Sequence, residues 1–236
     1  MGRVIIYMLL IIGSSLPVFV LYLWLRRRTT LSSDPGGGSR KGGSVPLTTL
    51  PLFLGALTAG IVSLFIAALV QRLFHLPPRT AGLGWLFFSV FVRAALVEET
   101  SRLITMFPLL KAGRIRRGRD LNIAAALGLA AGFGFAAAES ALYGGMTDLT
   151  IILLRNLTSL PLHGACGIRI GAAAFLFNRQ RGRAIFLYIT AIIIHGAYNL
   201  IILSPATHTL MAVPVALIAL VISLPLLKGS EEEQEN

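Results

Sequence analysis

The sequence predicts an all-α protein, a bundle of about seven membrane-spanning helices. Of its 236 residues, 55% are hydrophobic and only 13% are charged, which is about half the charge of an average soluble domain. Apolar stretches recur along the whole chain, each close to the roughly 20 residues that a helix needs to cross the hydrocarbon core. Because no water-soluble fold could bury all of them, we expect a single membrane domain.

The apolar runs fix the positions of the expected spans. The predicted spans are residues 4–25, 47–70, 84–110, 121–143, 149–178, 184–203 and 209–227. The first run is too long for the apolar part of a signal peptide and continues directly into three arginines, so we expect it to be retained. The chain then divides into a first helix with a Gly/Ser linker, a six-helix core and an acidic tail: residues 1–46, 47–227 and 228–236.

The distribution of basic residues predicts the topology. If the N-terminus lies outside, the cytoplasmic loops 26–46, 111–120 and 178–183 and the tail from Lys228 contain five, five, three and one Lys or Arg, against three in the external segments. This positive-inside bias predicts a plasma-membrane protein with its C-terminus in the cytoplasm. Because the net charge of +11 resides mostly in these loops, we expect no nucleic-acid partner.

Ionisable side chains occur inside the predicted spans, where each charge costs about 2.5–3.5 kcal/mol if it faces lipid. The set comprises Glu98, Glu99, Arg102, Glu139, Arg155, His163, Arg169 and His195, with Asn199 nearby. These groups must therefore face one another or water. A structural ion-pair network would explain two or three of them but explains the whole set less well, so we expect a polar site.

Helical spacing predicts which of these residues are neighbours. Arg102 follows Glu98 by four residues and Glu99 by three, so it can pair with either acid. His195 and Asn199 are four apart and lie on one helix face. Counting the helical rise from the external ends of the spans, polar groups of four helices converge in the outer half of the membrane.

Glutamate and histidine side chains that lie close together are suited to hydrolysis. They can take a proton from water and hand it on, while His and Asn can donate hydrogen bonds to a developing oxyanion. The same residue types are also zinc ligands. The usual zinc-protease sequence His-Glu-x-x-His is missing, and Gly-x-Gly-Asp does not occur either. The residues alone leave both a metal-free and a zinc-dependent hydrolase open.

Three segments of the chain resemble the motifs of the PrsW family of membrane proteases. Glu-Glu-Thr-Ser-Arg at 98–102, Phe-Ala-Ala-Ala-Glu at 135–139 and His-Gly-Ala-Tyr-Asn at 195–199 are similar to Glu-Glu-x-x-Lys, Phe-x-x-x-Glu and His-x-x-x-Asp. The resemblance covers about residues 84–203. The family is related to the CAAX prenyl proteases and to the APH-1 subunit of gamma-secretase.

The resemblance implies a function and a mechanism. The namesake activity is the first cleavage of a membrane-bound anti-sigma factor on its extracytoplasmic side. By similarity to the prenyl proteases, a glutamate of the first motif would activate water without a metal, and His195 and Asn199 would support the oxyanion. The chain departs from the family motifs at Arg102, where Lys is usual, and at Asn199, where Asp is usual. Glu139 or His163 would replace a histidine of the prenyl proteases.

We therefore expect an intramembrane endopeptidase of the glutamic type, with no cofactor. The expected catalytic residues are Glu98, Glu99, Glu139, His163, His195 and Asn199, with Arg102 and Arg155 in support. The expected partners are the lipid bilayer and a membrane-anchored protein substrate. One alternative is a zinc-dependent hydrolase whose ligands are His163, His195 and Glu139. A further alternative is a protein without catalysis, either a scaffold or a transporter, although the chain shows no internal repeat.

Overall fold

The structure is a computed structural model that describes residues 20, 23, 49–74, 82–115, 120–144, 149–204 and 206–228, without the side chains of 49, 143, 144, 149–156 and 209. No strand occurs among these residues, and the all-α prediction is confirmed. Nearly all of the predicted first span, the Gly/Ser linker and the tail beyond Lys228 lie outside the described residues.

The described helices follow the order of the apolar runs. They are α1 Thr49–Leu73, α2 Gly82–Phe87, a π-helical segment Phe88–Leu96, α3 Val97–Ala112, α4 Leu121–Gly144, α5 Leu149–Leu176, α6 Arg181–Leu203, a 3₁₀ turn Thr209–Met211, α7 Ala212–Ser223 and α8 Pro225–Lys228. Four of them, α1, α4, α5 and α6, are long and apolar enough to cross a membrane. They coincide with four of the predicted spans.

The two remaining core spans take other forms. The predicted span 84–110 is a rod of three consecutive parts, α2, the π-helical segment and α3. Its wider π-helical turns, with hydrogen bonds from i to i+5, stand directly before the Glu-Glu motif. The predicted span 209–227 is a shorter apolar helix, Ala212–Lys228. A count of seven spans therefore stays a prediction.

Glycines bring α4 and α5 into backbone contact. A Cβ added to Gly128 would overlap the carbonyl oxygen of Gly167, and one added to Gly132 would overlap the carbonyl oxygen of His163. Such contacts require residues without side chains at the interface. The contact at Gly132 places His163 against α4.

Helix α5 is the centre of the bundle. In the most apolar stretch of α5, 89% of the residues are buried inside the protein, against 28% in that of α6 and 33% in that of α1. Helices α3, α4, α6 and α7 all contact α5, whereas the outer faces of α1 and α6 carry exposed apolar side chains that suit contact with lipid. A polar side chain on α5 is consequently out of reach of bulk solvent and has to find its partners on the surrounding helices.

Candidate active site

The centre of the polar cluster is an ion pair within α3. Nη1 of Arg102 donates to both carboxylate oxygens of Glu99, at 3.0 and 2.7 Å, and neither side chain is exposed. The guanidinium also lies 4.4 Å from the centre of the Phe135 ring on α4. Of the two acids that the spacing allowed, Glu99 is therefore the one that pairs with Arg102.

His163 on α5 links this ion pair to the acid of α4. Nη2 of Arg102 lies 3.1 Å from Nδ1 of His163, and Nε2 of His163 lies 3.1 Å from Oε2 of Glu139. Because a guanidinium can only donate hydrogen bonds, Nδ1 must be the acceptor. The proton of the imidazole is then on Nε2, from which it is donated to Glu139. Ser159, one turn before His163, also donates to Glu139, at 3.3 Å.

His195 on α6 is oriented by the same buried glutamate. Nδ1 of His195 lies 2.7 Å from Oε1 of Glu99, and since a carboxylate accepts, the imidazole donates from Nδ1. In the neutral ring the lone pair is then on Nε2. The rings of His163 and His195 meet edge to face, with their centres 5.0 Å apart. The next residue, Gly196, leaves room for Phe91 of the π-helical segment, since a Cβ there would overlap the phenyl ring.

Glu98 is the less enclosed of the two adjacent acids, with 12% of its side chain exposed against none of Glu99. Its Oε1 accepts a hydrogen bond from Nε2 of Gln71 on α1 at 3.1 Å. Its Oε2 is buried, accepts no hydrogen bond from a described residue, and faces Nε2 of His195 at 3.6 Å. When His195 is neutral, Oε2 of Glu98 and Nε2 of His195 are both hydrogen-bond acceptors. A proton or a donor group therefore has to lie between them. A water molecule, with two O–H groups, satisfies both.

The remaining predicted residues lie at the edge of the cluster. Asn199 is one helical turn beyond His195 and partly buried, and its side chain takes part in none of the side-chain hydrogen bonds among described residues. Its neighbour Tyr198 shares a 2.6 Å hydrogen bond with Thr158 of α5. The side chain of Arg155 lies outside the described residues, so its supporting role stays a prediction.

Two residues of the cluster did not emerge from the sequence. Gln71 lies one position beyond the predicted span 47–70, where a polar side chain resembles an ordinary loop residue. Ser159 lies four residues before His163 and therefore on the same helix face, a spacing that could have identified it. The structure thus brings five of the six predicted catalytic residues into one hydrogen-bonded or facing set: Glu98, Glu99, Glu139, His163 and His195.

A comparison with family models matches residues 45–227 to PrsW-protease, the PrsW family intramembrane metalloproteases. The match extends over well more than half of the chain. The chain belongs to the PrsW family. Comparisons with curated proteins and with solved structures returned no match.

Membership of the PrsW family makes the protein a hydrolase, a membrane protease with a protein substrate. Together with the apolar helices, it also makes the chain a multi-pass protein of a lipid bilayer. The resemblance noted in the three motifs is confirmed, and the match extends beyond them to α1 and α7. The scaffold and transporter alternatives are set aside by the same finding.

The family description raises the question of whether a metal fits this PrsW site. Glu98, His163 and His195 offer possible ligand atoms within 4.8 Å of one another. Glu98 and His195 fit, because Oε2 and Nε2 each have a lone pair free. The carboxylate of Glu99 accepts from Nδ1 of His195, as carboxylates commonly do behind a metal-bound histidine. His163 does not fit as it stands, since Nδ1 accepts from Arg102 and Nε2 donates to Glu139.

The fit is therefore incomplete. Catalytic zinc sites usually have three protein ligands, and this cluster supplies two of them without rearrangement. The sequence had grouped Glu139 with the two histidines, whereas the structure groups Glu98 with them. Glu139 instead accepts hydrogen bonds from His163 and Ser159.

Proposed function

We propose that the protein is a glutamic-type intramembrane endopeptidase in which Glu98 is the general base. The observation that carries the proposal is the facing pair of acceptors, Oε2 of Glu98 and Nε2 of His195, which lie 3.6 Å apart. A water molecule held by these two atoms has its own lone pairs directed away from both. In the proposed mechanism these lone pairs attack the carbonyl carbon of the scissile peptide bond.

The proposed reaction moves one proton through Glu98. Glu98 takes a proton from the water while His195 accepts a hydrogen bond from the other O–H group. The new carbon–oxygen bond forms at the scissile carbonyl, whose oxygen becomes negatively charged, and the amide of Asn199 is the proposed donor to it. When the carbon–nitrogen bond breaks, Glu98 returns the proton to the leaving nitrogen. General base catalysis of this kind contributes about 10²–10⁴-fold.

The buried part of the cluster has the task of orienting His195. Glu99 accepts from Nδ1 of His195 and so keeps the lone pair on Nε2, facing the water. Arg102 holds Glu99 ionised through two hydrogen bonds. His163 and Glu139 extend this chain of hydrogen bonds to α4, and Glu139 is the proposed second carboxylate that assists proton transfer.

The substrate and the topology are proposed from the sequence. By its PrsW resemblance, the substrate is a membrane-anchored protein cut near its outer face, such as an anti-sigma factor. The bias of basic residues supports a plasma-membrane location with the N-terminus outside. Arg155, whose side chain is outside the described residues, is proposed to support the site from α5.

A metal-dependent protease is the second candidate. It is favoured by the grouping of Glu98, His163 and His195 and by the family's description. If a metal were bound there, it would supply Lewis-acid chemistry and lower the pKa of a bound water. This candidate requires His163 to give up one of its two hydrogen bonds.

The proposal is tested in cells by comparing membrane-protein fragments. We expect fragments that appear with the wild-type chain to disappear with Glu98→Gln, which keeps the shape but cannot take a proton. The control is Glu231→Gln, the same change in the tail, which should leave the fragments unchanged. Persistence of every fragment in Glu98→Gln, at equal expression, would refute the role of Glu98.

The two candidates are separated on purified protein. Cleavage of a fragment-derived substrate is measured after thorough chelation, with metal content determined by mass spectrometry. Metal-free protein that retains its rate supports the glutamic mechanism. Loss of activity that returns on adding zinc supports the metal-dependent candidate.

A further inference from the structure

A second polar feature, separate from the catalytic cluster, is a cavity bordered by α5, α6, α7 and α8. Its volume is about 490 Å³. Several of its lining side chains are more than half exposed on the outer surface of the bundle, which opens the cavity toward lipid. Apart from Arg169 and Thr190 its walls are apolar, among them Phe186, Ile193, Ile222 and Leu226.

Arg169 is buried at this cavity and has no acidic partner among the described residues. Only 8% of it is exposed, and its Nε and Nη1 donate to the hydroxyls of Ser223 at 3.1 Å and Thr190 at 3.0 Å. Both hydroxyls use their own protons on backbone carbonyls, those of Ala219 and Leu187. The ion pairs among described residues do not include Arg169. A buried charge of this kind is costly unless an anion neutralises it.

The free end of the guanidinium is available to such an anion. Nη2 makes none of the hydrogen bonds among described residues, and it is not among the enclosed atoms that lack a partner. Arg169 precedes the end of α5 at Leu176 by seven residues, about 10 Å along the helix. A headgroup phosphate can meet an arginine at this depth, because such side chains extend toward the interface.

A further cation lies on the face of α6 that lines the cavity. Arg183 precedes the lining residue Phe186 by three residues and therefore lies on the same side of the helix. The walls themselves are apolar apart from Arg169 and Thr190.

We propose that this cavity binds the phosphate group of an anionic phospholipid, with an acyl chain along the apolar walls. Arg169 is the ligand for the phosphate, to which Nη2 donates, because a hydrogen bond between two charged groups is stronger than one between neutral groups. A lipid is favoured over free phosphate because the walls are apolar and open to the bilayer. The inference concerns a site separate from Glu98 and does not depend on the proposed proteolysis.

Native mass spectrometry of the full chain in detergent tests the proposal. Phosphatidylglycerol, phosphatidylcholine and inorganic phosphate are titrated separately against the wild type, Arg169→Gln and Arg181→Gln. Arg181 is the matched control, because it lies at the same end of the bundle. It precedes Thr190 by nine residues, which places it on the opposite face of α6 from the cavity. Its guanidinium lies over the ring of Phe177. The mass of each adduct distinguishes the lipid from the free ion.

The wild type and Arg181→Gln should bind one phosphatidylglycerol with similar affinity, and Arg169→Gln about tenfold or more weakly. Equal binding by all three proteins, equal binding of phosphatidylcholine, or phosphate binding as tight as that of the lipid would overturn the proposal. If Arg169→Gln does not fold, Ile193→Trp decides, since it fills the apolar wall and leaves Arg169 in place. Tight phosphatidylglycerol binding by Ile193→Trp would contradict the site, and weakened binding would support it.

Discussion

Replacing Arg102 by methionine should lower the free energy of unfolding more than replacing any exposed arginine does. Methionine fills a similar apolar volume but removes the donor of both hydrogen bonds to Glu99. Glu99 would then be a fully buried carboxylate with His195 as its described donor. His163 would lose the donor to Nδ1 as well.

The magnitude follows from the burial of the pair. Removing one partner of a buried ion pair costs about 3–5 kcal/mol, because the other charge is left uncompensated. Arg102→Lys keeps the charge, but one ammonium does not reproduce the planar fork that reaches Glu99 and His163 together. We expect that variant to lose about 1.5–3 kcal/mol, the contribution of one hydrogen bond to a charged group. The double variant Arg102→Met/Glu99→Gln should be more stable than Arg102→Met alone.

Equilibrium unfolding in mixed micelles, followed by circular dichroism, measures these differences. The control is Arg181→Met, which removes an exposed arginine that lies over Phe177 and should change stability by no more than about 0.5 kcal/mol. Arg102→Met within about 1 kcal/mol of the wild type would contradict the reasoning. A double variant less stable than the single one would contradict it too.

Three further predictions follow from single contacts. Gln71→Leu removes the donor to Oε1 of Glu98 and should slow cleavage about tenfold or more with little loss of stability; an unchanged rate would exclude Gln71 from positioning the base. Gly132→Ala should destabilise the bundle strongly, because the added Cβ would overlap the backbone of His163. Gly182→Ala is the control, since a Cβ there meets open space and should not destabilise the bundle. Thermal unfolding of the two variants compares them directly. Tyr198→Phe should cost about 1 kcal/mol, from the loss of its hydrogen bond to Thr158, and leave the cleavage rate nearly unchanged, which the same kinetic assay checks.

Much of the fold could be predicted because the bilayer restricts the choice. Long apolar runs in this environment form helices, and small residues four apart let two helices approach closely, as Gly128 and Gly132 of α4 do against α5. The span count could not be settled, because the rod over 82–112 contains charged residues and a π-helical segment. Apolar length alone does not reveal such a segment.

The site could be predicted only as far as spacing along one helix extends. The spacing of three and four residues showed that Arg102 would meet an acid, but the choice of Glu99 depends on which side of α3 faces α5. The link from Arg102 through His163 to Glu139 depends on the register between α4 and α5, which the Gly132 contact sets. Gln71 could not be found, because only its approach from α1 to Glu98 distinguishes it from a loop residue.

The most direct test of the central claim is a double-mutant cycle on Glu98 and His195. Cleavage rates of purified wild type, Glu98→Gln, His195→Gln and the double variant are measured on one substrate. If both side chains hold the same attacking water, each single change should lower the rate by about 10²–10⁴-fold, and the double change should lower it no further than the more damaging single one. Losses that multiply in the double variant, or a Glu98→Gln protein as fast as the wild type, would contradict the account.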